Sequence, residues 1–199
     1  FAALFTPILL TRSLFFPFIT SKQIAFRVCV EFAVAFFIIE VLRVFFGASL
    51  EARQKFFHAL KHHLTHPVSL AIIALGFTLT VSSLLSNHPA LSFWSNYERG
   101  DGTFQIAHYI LFALLIKILF TNALSIARLF WVQIIASIPV SYYAIGQMFG
   151  NKGSATFLAA ADRVSGTLGN PSYLACYLAF NLTFILFIVL RTKDQLVRI

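Results

Sequence analysis

Long apolar runs, separated by short polar segments, make up most of this sequence. The run over residues 24–46 is long enough to cross a hydrocarbon core of about 30 Å, because a helix rises about 1.5 Å per residue. We predict about five complete transmembrane helices and the end of an N-terminal one: residues 1–10 (partial), 24–46, 67–85, 103–120, 123–149 and 171–190. The pattern therefore predicts an all-α, polytopic integral membrane protein, with residues 1–199 forming a single transmembrane helical domain with short extracytoplasmic loops.

The composition also indicates a membrane environment. Hydrophobic residues make up 59% of the chain and charged residues 11%, and the mean hydropathy is +0.83, values far from those of a soluble domain. The net charge of +8 does not indicate a nucleic-acid partner, because the basic residues are scattered between apolar runs. Membrane lipids and topology explain them better. Cys29 and Cys176 both lie in apolar runs, so we expect neither a disulfide nor a metal site from them.

Two pairs of opposite charge lie inside the first complete span. Arg27 and Glu31 are four residues apart, and Glu40 and Arg43 are three apart. Each pair therefore shares one helix face. We expect both to form structural ion pairs, since pairing lowers the cost of holding charges near the membrane.

The polar segment over residues 47–66 is rich in histidine. His58, His62 and His66 recur every four residues, which would put three imidazoles on one helix face. This spacing suits a metal ion, but no carboxylate or cysteine joins the three. The basic character of the segment favours an interfacial helix lying on anionic lipid.

The distribution of charge predicts the orientation. If the spans alternate, one side of the membrane receives nine basic and three acidic residues, and the other receives six basic and four acidic ones. The positive-inside rule makes the first side cytoplasmic. The loops over residues 86–102 and 150–170 are then extracytoplasmic. The six basic residues of this outer side exceed what topology needs, and binding of an anionic lipid carrier would explain them.

The most informative loop covers residues 162–171, just before the last span. Asn170 is a good helix N-cap, and the proline after it suits the first helical position. Gly166 and Gly169 would let the backbone approach a ligand closely, and Arg163 brings a fixed positive charge. Together these features suit a phosphate or pyrophosphate. Gly-Asn-Pro is also an ordinary way to begin a helix, so both interpretations stay open.

A second outer loop, over residues 86–102, combines aromatic and charged side chains. Phe93 and Trp94 are typical of a membrane surface, and Arg99 lies close behind them. An aromatic belt beside a solvated charge cluster would explain the pattern. A second arginine directed at the same anion as Arg163 would explain it equally.

Three stretches occur in a distinctive order. They read Phe-Phe-Pro-Phe-Ile-Thr-Ser-Lys (15–22), with Phe-Arg and Glu31 following, then Ser-Phe-Trp-Ser-Asn-Tyr-Glu-Arg-Gly-Asp-Gly (92–102), then Arg-Val-Ser-Gly-Thr-Leu-Gly-Asn-Pro-Ser-Tyr-Leu-Ala (163–175). In this combination the chain resembles the N-terminal half of the O-antigen ligase family of bacterial membrane proteins. That family also contains O-antigen polymerases and protein O-oligosaccharyltransferases.

The resemblance implies an enzyme of the bacterial inner membrane with about twice this many spans. Such an enzyme transfers a glycan from an undecaprenyl-diphosphate carrier to a hydroxyl of an acceptor outside the cytoplasm: a glycolipid such as the lipid A core, a growing polysaccharide or a protein. No cofactor is implied. The residues expected to bind the diphosphate are those matching the motif positions, namely Arg99, Arg163, Gly169 and Asn170, with Lys22 and Arg27 as weaker candidates.

The resemblance also implies a missing half. The family's base is a histidine in a large loop of the C-terminal half, and no segment here corresponds to it. We therefore expect a fragment that holds the donor-diphosphate part of the site and no catalytic residue; neither His88 nor His108 is expected to act as the base. Guanidinium and helix N–H groups would stabilise the leaving diphosphate without a metal, in a direct displacement by a deprotonated hydroxyl.

Two functions of other classes remain open. A transporter or flippase would use the charges of span 24–46 and Lys117 to line a path, and it predicts broken helices or an internal repeat, neither of which is clear in the sequence. A non-catalytic membrane assembly protein would tolerate changes in its outer loops.

Overall fold

The structure is a computed structural model of the 199-residue chain. It describes residues 1–11, 13–14, 16–96, 100–149 and 163–196, with side chains as far as residue 191. The regular elements of this part are all helical. Two are short 3-10 helices, Ala2–Ile8 and Gly166–Leu168. The others are α1 (Thr20–Gly47), α2 (Leu50–Thr65), α3 (Pro67–Leu84), α4 (Pro89–Trp94), α5 (Thr103–Leu119), α6 (Ala123–Phe149) and α7 (Pro171–Leu196).

Three helices of the described part are long and apolar enough to cross a membrane: α3, α6 and α7 as far as Arg191. The all-helical class is confirmed, with helices fit for a membrane, but the predicted count of five spans is not. Helix α5 has 17 residues and extends only about 25 Å. Helix α1 has 28 residues, but every 18-residue stretch of it carries at least three charged side chains.

The described part of the chain buries polar side chains and exposes large apolar ones. Ser69, Gln105 and His108 are buried, whereas Phe36 and Phe77 are largely exposed. This distribution is the one expected of a protein in lipid, because hydrocarbon accepts apolar surface while polar groups must find partners inside the protein.

The helix starts at Pro67, Thr103, Ala123 and Pro171 agree with the predicted ones. The first ten residues differ, because the expected end of a spanning helix is instead the short 3-10 helix Ala2–Ile8, which contains a proline without an N–H to donate. The predicted loop over residues 86–102 contains the short helix α4.

Two compact units make up the fold. The first consists of residues 1–22 and 122–199. Val140 and Ala144 of α6 and Leu174 of α7 form its core, and Ile8 and Leu168 pack against them. Segments from both ends of the sequence therefore fold together in this unit.

The second unit covers residues 23–121, from α1 to α5. Helices α3 and α5 approach closely at Gly76, where a Cβ atom would lie 2.8 Å from Cδ1 of Ile110. The hydroxyls of Ser83 and Thr103 form a hydrogen bond between the same two helices. Small and hydroxyl side chains hold the pair together, as is usual for helices in lipid.

Lys117 fixes the far end of α5. Its ammonium donates to Oγ of Ser69 at 2.6 Å, and that hydroxyl donates to the carbonyl of His63 at 2.6 Å. The chain of two bonds joins α5, α3 and α2. Lys117 therefore has a structural partner, which weakens its assignment to a transport path.

The histidine-rich segment forms α2, with Ser49 as its N-cap. His66 lies beyond the helix, where its Nδ1 accepts the N–H of Val68 at 3.3 Å and caps α3. In the described ranges no three histidine, cysteine, aspartate or glutamate side chains are grouped closely enough to hold a metal ion. The hypothesis of a three-histidine metal site is therefore without support.

Candidate functional site

The segment before α7 begins the helix as predicted. Oδ1 of Asn170 accepts the N–H of Ser172 at 2.8 Å, and its carbonyl accepts the N–H of Leu174 at 3.0 Å. Pro171 is the first helical residue. The N-cap is confirmed, and it occupies one N–H of the first turn that a ligand would otherwise use.

The two glycines of this loop are needed for its turns and its packing. Gly166 has a φ of +59° and Gly169 a φ of +74°, in the region that favours glycine. A Cβ on Gly169 would lie 2.6 Å from the Phe18 ring, and one on Gly166 would lie 3.1 Å from the side chain of Leu174. These contacts account for both glycines, and contact of Gly169 with a ligand stays a prediction.

Long-range hydrogen bonds fix the loop backbone. Oε1 of Gln147, on α6, accepts the N–H groups of Ser165 at 3.2 Å and Gly166 at 2.7 Å. The hydroxyl of Thr167 donates to the carbonyl of Pro7 at 2.7 Å. The loop is thus tied to α6 and to the N-terminal segment.

Lys22 also holds the loop. Its ammonium donates to the carbonyls of Thr167 at 2.7 Å, Leu9 at 2.6 Å and Phe18 at 2.9 Å. Burial lowers the pKa of Lys22 from 10.5 to about 8, so the group is charged at pH 7. Because the three bonds use all three N–H donors, Lys22 lies at the predicted site as a support for the loop and keeps no donor for a ligand.

Arg163 is the exposed cation of this loop. Its side chain is exposed and makes no hydrogen bond or ion pair with the described residues. The next residue, Val164, packs against the unit's core, so the backbone that carries Arg163 is anchored. A guanidinium offers five N–H donors, and no described residue accepts from them.

Arg27 belongs to the second unit and makes two side-chain hydrogen bonds there. Its Nε donates to Oε1 of Gln105 at 2.6 Å, and a terminal nitrogen donates to the carbonyl of Gly100 at 2.9 Å. The guanidinium also lies 5.0 Å from the centre of the Phe104 ring. Arg27 therefore positions the segment that follows Arg99, a residue that lies outside the described ranges.

The predicted ion pair between Arg27 and Glu31 is wrong. Both side chains find partners on α5 instead, Glu31 through a 3.2 Å contact with Nε2 of His108. The second predicted pair, Glu40 with Arg43, does form, at 3.6 Å on an exposed surface. Arg27 and Glu31 thus bond to side chains of the neighbouring helix α5 instead of to each other, one turn apart on α1.

The segment before α5 is held as firmly as the loop before α7. Nε2 of Gln23 donates to Oδ1 of Asp101 at 2.9 Å. Gly100 has a φ of +58°, and a Cβ there would lie 2.5 Å from Oε1 of the same Gln23. Sequence reasoning missed these contacts, because Gln23 and Asp101 lie 78 positions apart and no local pattern links them.

The chain matches no protein-family model, no curated protein and no solved structure.

Proposed function

We propose that this chain is the donor-binding part of a lipid-linked glycan transferase of the O-antigen ligase type in a bacterial inner membrane. It would move a glycan from an undecaprenyl-diphosphate carrier to a hydroxyl of a glycolipid, polysaccharide or protein acceptor outside the cytoplasm. The order of the three motif stretches supports the reaction. The exposed guanidinium of Arg163, on a loop fixed by hydrogen bonds, is the observation that carries the proposal.

The arrangement around Arg163 suits a diphosphate. A guanidinium can donate two parallel N–H bonds to phosphate oxygens. Because Gln147, Thr167 and Lys22 already hold the loop, little further ordering is needed when the ligand binds. The leaving diphosphate gains negative charge as the glycosyl bond breaks, and a positioned cation stabilises that charge.

Other basic residues have separate parts in this proposal. Lys22 and Arg27 position loop backbone and do not themselves bind phosphate. Arg99 is the second expected ligand by its motif position. Asn170 acts through the helix N-terminus, which its side chain caps.

A transfer assay with a matched pair of variants tests the proposal. Membranes containing the intact gene product receive an undecaprenyl-diphosphate-linked glycan as donor, and release of undecaprenyl diphosphate is measured. Arg163→Ala should lower transfer at least tenfold, and Arg163→Lys should retain part of it. Arg128→Ala is the control, because Arg128 is exposed in the same unit and lies about 28 Å along α6 from Gln147.

Each other outcome identifies a rival function. Normal transfer by folded Arg163→Ala protein would contradict the proposal and favour a membrane assembly protein. Intact chemistry with loss of lipid movement across the bilayer would favour a transporter or flippase.

A further inference from the structure

Three polar pairs join α1 to α5 and to the segment just before it, inside the second unit. From the loop inward they are Gln23 with Asp101, Arg27 with Gln105, and Glu31 with His108. The members on α1 are four residues apart, so the pairs lie one helical turn from each other and extend about 12 Å along the helix. The innermost pair lies within the predicted spans 24–46 and 103–120.

Both ring nitrogens of His108 face hydrogen-bond acceptors. Nδ1 lies 2.8 Å from the carbonyl oxygen of Phe104, and Nε2 lies 3.2 Å from Oε1 of Glu31. A carbonyl oxygen can only accept, so Nδ1 carries a hydrogen. In a neutral imidazole, Nε2 would then have a lone pair and no hydrogen. An ionised carboxylate also offers only lone pairs, so no hydrogen bond could form between Nε2 and Oε1 of Glu31.

A proton between Nε2 and Oε1 removes this conflict. The pair is then an imidazolium with a carboxylate, or a neutral imidazole that accepts from a carboxylic acid. In both descriptions the two side chains hold one proton between them and have no net charge.

The surroundings favour a pair without net charge. His108 is 5% exposed, whereas the Glu31 side chain is 58% exposed, on a flank that also exposes Val28 and Phe32. An apolar flank of this kind disfavours an unpaired carboxylate. The ring of Phe104, 4.6 Å from that of His108, covers the imidazole.

Other titratable groups near the pair already have bonds or lie farther along the helices. Arg27 bonds to Gln105 and Gly100, and Asp101 accepts from Gln23. Tyr109 follows His108 on α5 and packs against Phe26 of α1. Helices α3 and α4 contribute no titratable side chain. Helix α2 is joined to α5 through Lys117, about 13 Å beyond His108.

We propose that His108 and Glu31 form a proton-binding site between α1 and α5, with H⁺ as its ligand. This inference does not rest on the glycan-transfer function. The proton exchanges through the exposed carboxyl of Glu31. The hydrogen on Nδ1 of His108 stays there, donated to the carbonyl of Phe104. Release of the proton leaves two acceptors facing each other, so occupancy of the site controls the strength of this contact between α1 and α5.

Nitrogen NMR of the ¹⁵N-histidine-labelled protein in lipid nanodiscs at pH 7 tests the site, supported by infrared spectroscopy of the carboxyl groups. The His108 signal is identified by its loss in His108→Gln, and the exposed His58 and His62 serve as references. We expect His108 as an imidazolium, or as the Nδ1–H tautomer with a carboxylic-acid band that disappears in Glu31→Gln. In Glu31→Gln the carboxamide N–H replaces the proton, so His108 should become the neutral Nδ1–H tautomer with the helix contact retained.

Two results would overturn the inference. One is a neutral His108 that carries its hydrogen on Nε2 beside an ionised Glu31, because the pair then holds no additional proton. The other is an identical His108 signal in Glu31→Gln and Glu31→Ala, because the carboxyl group would then not bond to the ring.

Discussion

The segments that lead into α5 and α7 solve the same problem with different residues. Each segment contains a glycine of positive φ, and in each an α1 side chain donates to a backbone carbonyl. Arg27 donates to Gly100 before α5, and Lys22 donates to Thr167 before α7. The loop before α7 has in addition Arg163, which is exposed and makes no bond to the described residues. The three described basic residues that the sequence alone grouped as candidate ligands, Lys22, Arg27 and Arg163, therefore differ in their contacts.

A half-buried basic residue beside a loop therefore serves first to hold the loop backbone. Carbonyl groups of a loop lack the partners that a helix supplies, and a charged donor satisfies them strongly. Only a cation left over after those bonds are made can bind a ligand. This division between supporting and available cations leads to four predictions.

Gly102→Ala should have the largest effect, because it breaks the segment before α5. A Cβ on Gly102 would overlap the backbone carbonyl of Phe93, and backbone cannot move aside as a side chain does. We expect the free energy of unfolding to fall by about 3 kcal/mol, or folded protein to be lost. Denaturant unfolding in detergent measures this. Gly47→Ala is the control, since a Cβ there meets nothing within 4 Å and should change stability by less than about 0.5 kcal/mol.

Gly169→Ala tests the loop before α7 and separates its two costs. The φ of +74° opposes any side chain by about 1 kcal/mol, and the overlap with the Phe18 ring adds to that. The double variant Phe18→Ala/Gly169→Ala lacks the ring, so it should recover only the part of the lost unfolding free energy that the overlap causes. A double-mutant cycle of unfolding free energies measures the coupling, and additive effects would contradict the packing role.

Arg27→Ala and Arg163→Ala distinguish a supporting arginine from an available one. Loss of Arg27 leaves Oε1 of Gln105, a residue only 1% exposed, without its donor, and should cost about 1–3 kcal/mol. Arg163→Ala should change the unfolding free energy by less than about 0.5 kcal/mol. Thermal unfolding of both variants checks this, and equal losses would remove the distinction.

The last prediction concerns the pH dependence contributed by Lys22. Its pKa is about 8 in the folded protein and 10.5 unfolded, so between these values the unfolded chain binds more protons. The free energy of unfolding should then rise as pH increases from 8 to 10.5. Lys22→Met should lack this rise, and an unchanged pH profile in that variant would contradict the assignment.

The helix starts were readable from the sequence, whereas the bonds between segments were not. Asn170 and Pro171 signal a helix start locally, and the structure places them so. The contact of Lys22 with Thr167 joins residues 145 positions apart, and no local pattern encodes it. The spacing of four residues predicted an ion pair between Arg27 and Glu31, but Arg27 bonds instead to the buried amide of Gln105 on α5.

The predicted count of five spans is not confirmed. Helix α1 carries at least three charged side chains in every 18-residue stretch, and α5 ends one residue sooner than its apolar run. Exposure of Arg163 could not be predicted either, since it depends on which carbonyls other cations reach.

Binding of undecaprenyl diphosphate to the protein in nanodiscs tests the central claim most directly. The dissociation constant is compared between the unmodified chain, Arg163→Ala and the control Arg128→Ala. We predict at least tenfold weaker binding for Arg163→Ala, about 1.4 kcal/mol, with the affinity of Arg128→Ala unchanged and both variants folded. Equal affinities in all three proteins would show that Arg163 is not the residue that binds the lipid diphosphate.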